Sequence, residues 1–269
     1  MPLGTRISLK MLPVIPLLVL LSLFLNTTTA YAKAWGNASF GMYPSGKTVA
    51  PNGLIYDPLT RIHLDLNIGS PSFYFFTKNT FLTEKPNPGV TTNKNQGQFD
   101  FTKREFDIDL GIAFRPFQDQ NIEIRLRTVA FNNLNRGAYT NKPTGFKDGS
   151  AVEGRYYLTG ETVDGYIIGG YYLGKELVEP DGTPYKPGAF LGTQLNYDIS
   201  AEAKRLYAFG ELTFIRYNGL LETGLAWRPF TRRPNVEVRA IYGRYFNIKK
   251  GAVTLDSLLL EMKYYFDGK

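Results

Sequence analysis

The chain has 269 residues, no cysteine and a single histidine, and it carries 31 lysines and arginines against 24 aspartates and glutamates, a net charge of +7. Without cysteine there is no disulfide framework, thiolate metal site, cysteine nucleophile or lipidated cysteine anchor, and one histidine is too few for a multi-histidine zinc site. No basic run with interleaved aromatics and no Gly-rich phosphate loop stands out, so neither a nucleic-acid partner nor a nucleotide or other cofactor is expected.

At the N-terminus, Arg6 and Lys10 precede an apolar run from Met11 to Leu25, and Ala30-Tyr31-Ala32 supplies small residues around a cut after Ala32. The apolar run is shorter than the ~20 residues of a spanning helix, and Pro13 and Pro16 interrupt it. The pattern predicts a cleaved secretory signal peptide over 1–32 and a single domain over 33–269.

From there the apolar period is two. Ile62, Leu64, Leu66 and Ile68 alternate with His63, Asp65 and Asn67; Phe106 to Phe114 alternates likewise, as does Ile122 to Leu126. Such alternation gives a strand with one apolar and one polar face. Further strands are predicted near Trp35–Met42, Phe73–Phe81, Ala151–Leu158, Tyr166–Lys175, Ala189–Asp198, Leu206–Ile215, Leu220–Arg228, Val236–Phe246 and Val253–Phe266. The count is about twelve, with ten and fourteen also compatible. Compact turns after Gly69, Pro116 and Pro229 contrast with polar loops over 84–98 and 133–149. An even strand number places those three turns at one end of a barrel together with both termini. A strand of about eleven residues tilted by roughly 40° rises about 28 Å, enough for an apolar band of ~25 Å.

One strand-turn-strand unit occurs twice, as Gly111-Ile112-Ala113-Phe114-Arg115-Pro116-Phe117 leading to Asn121-Ile122-Glu123-Ile124-Arg125, and as Gly224-Leu225-Ala226-Trp227-Arg228-Pro229-Phe230 leading to Asn235-Val236-Glu237-Val238-Arg239. The large apolar residues of both copies share one face, and the charges are too numerous for a dry core. Lipid is the natural neighbour of the apolar face, and a lumen that of the polar one. Phe114, Phe117, Trp227 and Phe230 then form an aromatic girdle. The predicted lumen charge network comprises Asp107, Asp109, Arg115, Glu123, Arg125 and Arg127 from the first copy and Glu222, Arg228, Glu237 and Arg239 from the second.

The final strand ends on aromatics, with Leu258, Leu260, Met262, Tyr264 and Phe266 on one face. Signal peptide, absent cysteine, aromatic-rich amphipathic strands and this terminal strand together resemble the Gram-negative bacterial outer-membrane β-barrel proteins. The resemblance is to the class and identifies no specific family. It implies an all-β, transmembrane, antiparallel up-and-down barrel in the cell outer membrane, surrounded by lipid and lipopolysaccharide and inserted by the outer-membrane assembly machinery.

Three functions fit this reading. The leading expectation is a narrow passive, porin-like channel for small solutes, anionic or sugar-like ones included, because the chain is mildly basic. The second is a structural or docking barrel of an envelope complex, its lumen plugged by charge pairs. The third is an outer-membrane lipid hydrolase, which would need His63 as its base and a serine nearby on the outer wall. His63 shares the polar face with Asp65 and Asn67, and no serine is marked, so no catalytic residue is assigned.

Overall fold

The computed structural model describes residues 33–49, 55–84, 104–117, 121–133, 150–173, 177–178, 184–185, 188–200, 205–215, 217–230, 235–248 and 254–267. The segment 1–32, read above as a signal peptide, lies outside them.

Twelve long strands close into one antiparallel barrel. They are β1 Lys33–Gly46, β2 Pro58–Gly69, β3 Phe73–Glu84, β4 Arg104–Phe114, β5 Ile122–Asn133 and β6 Ala151–Thr159, then β7 Val163–Tyr172, β8 Ala189–Asp198, β9 Leu206–Ile215, β10 Asn218–Trp227, β11 Val236–Asn247 and β12 Leu255–Asp267. Each strand pairs with its sequence neighbours, and β1 pairs with β12 to close the ring. Two short ribbons, Thr48–Val49 with Ile55–Tyr56 and Leu177–Val178 with Pro184–Tyr185, decorate the loops after β1 and β7. Tracing the strands puts the turns after Gly69, Phe114 and Trp227 at the end that carries both termini, as expected.

The faces follow the period of two. Ala113 and Ala226 are fully buried, while the adjacent Phe114 and Trp227 are 37% and 48% exposed, as are many other large apolar side chains of the outer wall such as Phe40, Leu64, Phe75, Ile124, Leu191 and Leu260. In water each would forfeit part of the ~1.5–3 kcal/mol that full burial of such a side chain contributes, and a belt of this extent on eleven of the twelve strands is stable only against hydrocarbon. Closure leaves no unpaired sheet edge, which the bilayer core requires. Phe117 and Phe230 are also exposed beside Phe114 and Trp227 at the terminal end. Among the tyrosines, Tyr171, Tyr242 and Tyr264 face outward whereas Tyr166 and Tyr172 turn into the lumen.

The repeat visible in the sequence as one hairpin extends, in the pairing register, to half the barrel. Tyr74 stands opposite Ala113 as Tyr207 stands opposite Ala226, and Asn67 opposite Phe76 as Asn196 opposite Phe209. Glu123 faces Arg155 as Glu237 faces Lys263, and Trp35 faces Asn67 as Asp164 faces Asn196. Strands β1–β6 therefore superimpose on β7–β12 by register, with a pseudo-twofold axis along the lumen. Aligned this way, β3 reads Tyr-x-Phe-x-Lys-x-Thr-Phe over 74–81 where β9 reads Tyr-x-Phe-x-Glu-x-Thr-Phe over 207–214, and Glu153-x-Arg155-Tyr156-Tyr157 matches Glu261-x-Lys263-Tyr264-Tyr265.

Glycines recur at the same places. A Cβ on Gly36 of β1 would lie 1.9 Å from the Asp65 carbonyl oxygen, and one on its counterpart Gly165 of β7 would lie 2.0 Å from that of Gln194. Neighbouring backbones approach too closely there for any side chain, and Phe266 covers the space above Gly36. Gly36→Ala and Gly165→Ala are each expected to abolish the compact, heat-modifiable form on unboiled gels. Gly169→Ala, with no atom within 4 Å of the added carbon, is expected to leave it intact.

Candidate functional site

The inward faces build two matching glutamate-centred clusters at the terminal end of the lumen. Glu123 on β5 has no exposed surface. It accepts hydrogen bonds from Tyr74 Oη at 2.7 Å, Arg115 Nε at 2.7 Å and Tyr157 Oη at 3.1 Å, and a further one from Arg125 Nε. Glu237 on β11, equally buried, accepts from Tyr207 Oη at 2.7 Å, Arg228 Nε at 3.2 Å, Arg239 Nε at 2.7 Å and Tyr265 Oη at 3.2 Å. Each carboxylate thus holds two arginines and two phenols, enough donors to offset its desolvation. Each inner arginine also covers an aromatic ring, Arg125 over Phe76 at 4.7 Å and Arg239 over Phe209 at 4.3 Å.

A second tier follows the seams between the halves. Glu153 on β6 is bound by Arg155 at 2.6 Å and Arg127 at 3.1 Å, and its counterpart Glu261 on β12 by Arg61 at 3.1 Å and Ser39 at 2.7 Å. Arg127 also reaches Asp109 at 2.9 Å, while Arg61 reaches Glu222, which occupies the place of Asp109 in the second half, at 3.0 Å. The two arginines arrive from opposite flanks, β5 and β2, so the repeat has reached the same neutralisation twice by different residues.

All of the predicted lumen residues except one are placed by these contacts: Asp109, Arg115, Glu123, Arg125, Arg127, Glu222, Arg228, Glu237 and Arg239 converge on the interior. Asp107 lies on β4, paired along the backbone with Thr80 and Phe131, and its side chain falls outside the described residues. The arginines of the repeated hairpins are held against buried glutamates rather than standing free as a ladder. Sequence reasoning missed Arg61, Lys78, Glu153 and Glu211 and the four tyrosines. Their signal was the second-half echo of each strand, hidden because the strands flanking the hairpins are separated by segments of unequal length.

Between these clusters lies a polar cavity of about 590 Å³ that runs from Trp35, Asp198 and Arg228 near the terminal end to Arg61, Thr80 and Glu222 deeper in the barrel. Its wall from β1–β6 presents Arg61, Lys78, Arg115, Arg125 and Arg155 against one carboxylate, Asp65. The wall from β7–β12 presents Asp164, Asp198, Glu211, Glu222 and Glu261 beside Arg228, Arg239 and Lys263. Toward the loop end the inward positions become apolar and buried: Tyr43, Leu82, Ile241 and Leu259 form part of one cluster, and Ala151, Ile168, Tyr172 and Phe190 form another. None of these lines the polar cavity.

His63 also faces the cavity, with its Nδ1 2.9 Å from Thr80 Oγ1. It points away from lipid, which removes the geometric basis for a lipid-attacking base on the outer wall. No group of three metal-ligating side chains occurs among the described residues.

No protein-family model and no curated protein matches the chain. Solved structures do. The KdgM porin aligns with a TM-score of 0.45 and 9% identity over 86% of this chain and 99% of its own. The Pseudomonas putida toluene transporter TodX aligns with a TM-score of 0.41 and 8% identity over 90% and 91%, and the outer-membrane channel DcaP of Acinetobacter baumannii with 0.36 and 10% over 89% and 99%. By its own strand order and its outward apolar belt, this chain is an up-and-down transmembrane β-barrel. Its likeness to those channels is one of barrel architecture.

Proposed function

We propose that this barrel resides in the outer membrane of a Gram-negative bacterium and acts as a narrow, passive, porin-like channel for small polar solutes, anionic and sugar-like ones among them. The observation that carries the reading is the polar cavity of about 590 Å³ inside a closed, lipid-facing wall. A barrel that served only as an anchor would need no such interior. In this reading, residues 1–32 are a signal peptide removed on export, lipid and lipopolysaccharide contact the apolar belt, and the assembly machinery inserts the chain. The turns at the terminal end face the periplasm. The glutamate clusters keep the wall rigid, and solutes move by diffusion past the remaining charges.

Proteoliposome swelling tests it. Vesicles containing the refolded barrel are expected to swell in isosmotic erythritol much faster than protein-free vesicles, with discrimination against sugars of increasing size. Equal rates with and without the barrel would overturn the channel reading.

One observation favours the docking barrel: the buried apolar side chains toward the loop end reduce the space available to water there. On that reading the barrel excludes erythritol and co-purifies with a stable envelope partner bound through the loops over 44–60, 83–98 and 133–150, segments that fall largely outside the described residues.

A further inference from the structure

The internal repeat serves as a control on the lumen. Residues that build the wall are the same in both halves: Tyr74 and Tyr207, Glu123 and Glu237, Arg125 and Arg239. These side chains satisfy one another. Strands β3 and β9 share the pattern Tyr-x-Phe-x-[charge]-x-Thr-Phe, yet the charge is Lys78 in one and Glu211 in the other. The two strands stand six places apart in a ring of twelve, on opposite walls. Both side chains line the cavity. Neither makes a hydrogen bond or ion pair with any described residue, although the lumen around them is rich in both.

The neighbours sharpen the contrast. Across the strand pairs, Lys78 is flanked by Asp65 and Asp109, and Asp109 is already held by Arg127. Glu211 is flanked by Gln194 and Glu222, and Glu222 is already held by Arg61. Lys263 lies in the same wall as Glu211 with its Nζ over the Tyr265 ring at 5.3 Å. One wall thus keeps an ammonium whose nearest free carboxylate, Asp65, stands across the strand pair without a direct ion pair, and the facing wall keeps a carboxylate without one. Both side chains are partly buried and line the cavity, so a charge left without a close counter-ion there is open to a solute that supplies one.

We propose that Lys78 and Glu211 form a bipolar solute site, selective for small zwitterions that carry a carboxylate and an ammonium group at opposite ends. The proposal rests on the channel reading and deepens it. The solute's carboxylate meets Lys78 and its ammonium meets Glu211, so each end exchanges water for a charge-assisted hydrogen bond. A neutral solute of the same size gains nothing there, and a simple anion or cation is attracted at one wall and repelled at the other, with little net gain.

The test compares swelling of proteoliposomes in γ-aminobutyrate and in erythritol, two solutes without net charge. The wild-type barrel is expected to admit γ-aminobutyrate faster. Lys78→Glu and Glu211→Lys should each lower the ratio about fivefold, the weight of one solvent-screened charge contact. The exchange variant K78E/E211K should restore it, because the two poles are merely interchanged. Lys78→Gln and Glu211→Gln repeat the comparison without added charge, and heat-modifiable mobility verifies folding of every variant. A wild-type ratio of one, or a ratio that the single variants leave unchanged, overturns the bipolar site while the channel stands. Exclusion of erythritol by the wild type overturns both.

Discussion

Replacing Glu237 by glutamine is expected to destabilise the folded barrel by about 3–5 kcal/mol, the range found when one partner of a buried ion pair is removed. The carboxylate is fully buried and accepts from Tyr207, Arg228, Arg239 and Tyr265. Glutamine keeps the volume but removes the charge, leaving two arginines to share a neutral oxygen. Glu123→Gln should do the same in the first half, where Tyr74, Arg115, Arg125 and Tyr157 converge. The two effects should add, since the clusters lie in opposite halves and share no residue. The measurement is the urea midpoint of reversible folding into lipid or detergent. Asp256→Asn, at the exposed Arg244–Asp256 pair, supplies the comparison and should leave the midpoint nearly unchanged. A Glu237→Gln midpoint equal to wild type would mean that the cluster is not what holds the second half together.

The second large effect concerns passage. Ile241 and Leu259 are each 1% exposed and belong to the apolar group that borders the polar cavity toward the loop end. An apolar constriction resists wetting, and a pore limited by one conducts poorly even when its charged parts are open. The double variant I241S/L259S is expected to raise single-channel conductance severalfold without altering the charge clusters below. Leu225→Ser, on the lipid-facing side of the wall, should leave conductance as it was. No change in the double variant would place the limiting barrier elsewhere, toward the loops.

Much of this architecture is written openly in the chain. The alternation of Ile112 and Phe114 with Ala113 and Arg115 determines both strand and face, because a lipid-exposed wall demands large apolar groups on one side only. The hairpin repeat was legible because its two turns carry the same Arg-Pro-Phe. The membership of Arg115, Glu123, Arg228 and Glu237 in one lumen network followed from their polar-face parity, and the structure pairs Arg115 with Glu123 and Arg228 with Glu237. The remaining donors were harder to see. Tyr74, Tyr157, Tyr207 and Tyr265 reach the glutamates from strands that flank the hairpins, and only ring closure tells which strands those are. The full six-strand repeat was obscured for a similar reason: β3 and β4 are joined over 85–103, whereas β9 and β10 turn within 216–217. The opposed charges at 78 and 211 acquire meaning only once the two strands are known to face each other.

The structure also alters what the arginines are for. A basic chain suggests an anion-preferring lumen, yet Arg115, Arg125, Arg228 and Arg239 are each within ion-pair distance of a fully buried glutamate. Such pairs stiffen the wall and leave little net field. Selection then falls to the uncommitted groups of the cavity, and weak discrimination between simple anions and cations is expected.

The most direct measurement is planar-bilayer recording of the purified, folded barrel under a salt gradient. Discrete conductance steps with a reversal potential close to zero are the result the channel reading predicts, since the opposed charges lining the cavity nearly balance. A barrel that is folded by gel mobility and circular dichroism but electrically silent would contradict the channel and leave the docking role in its place.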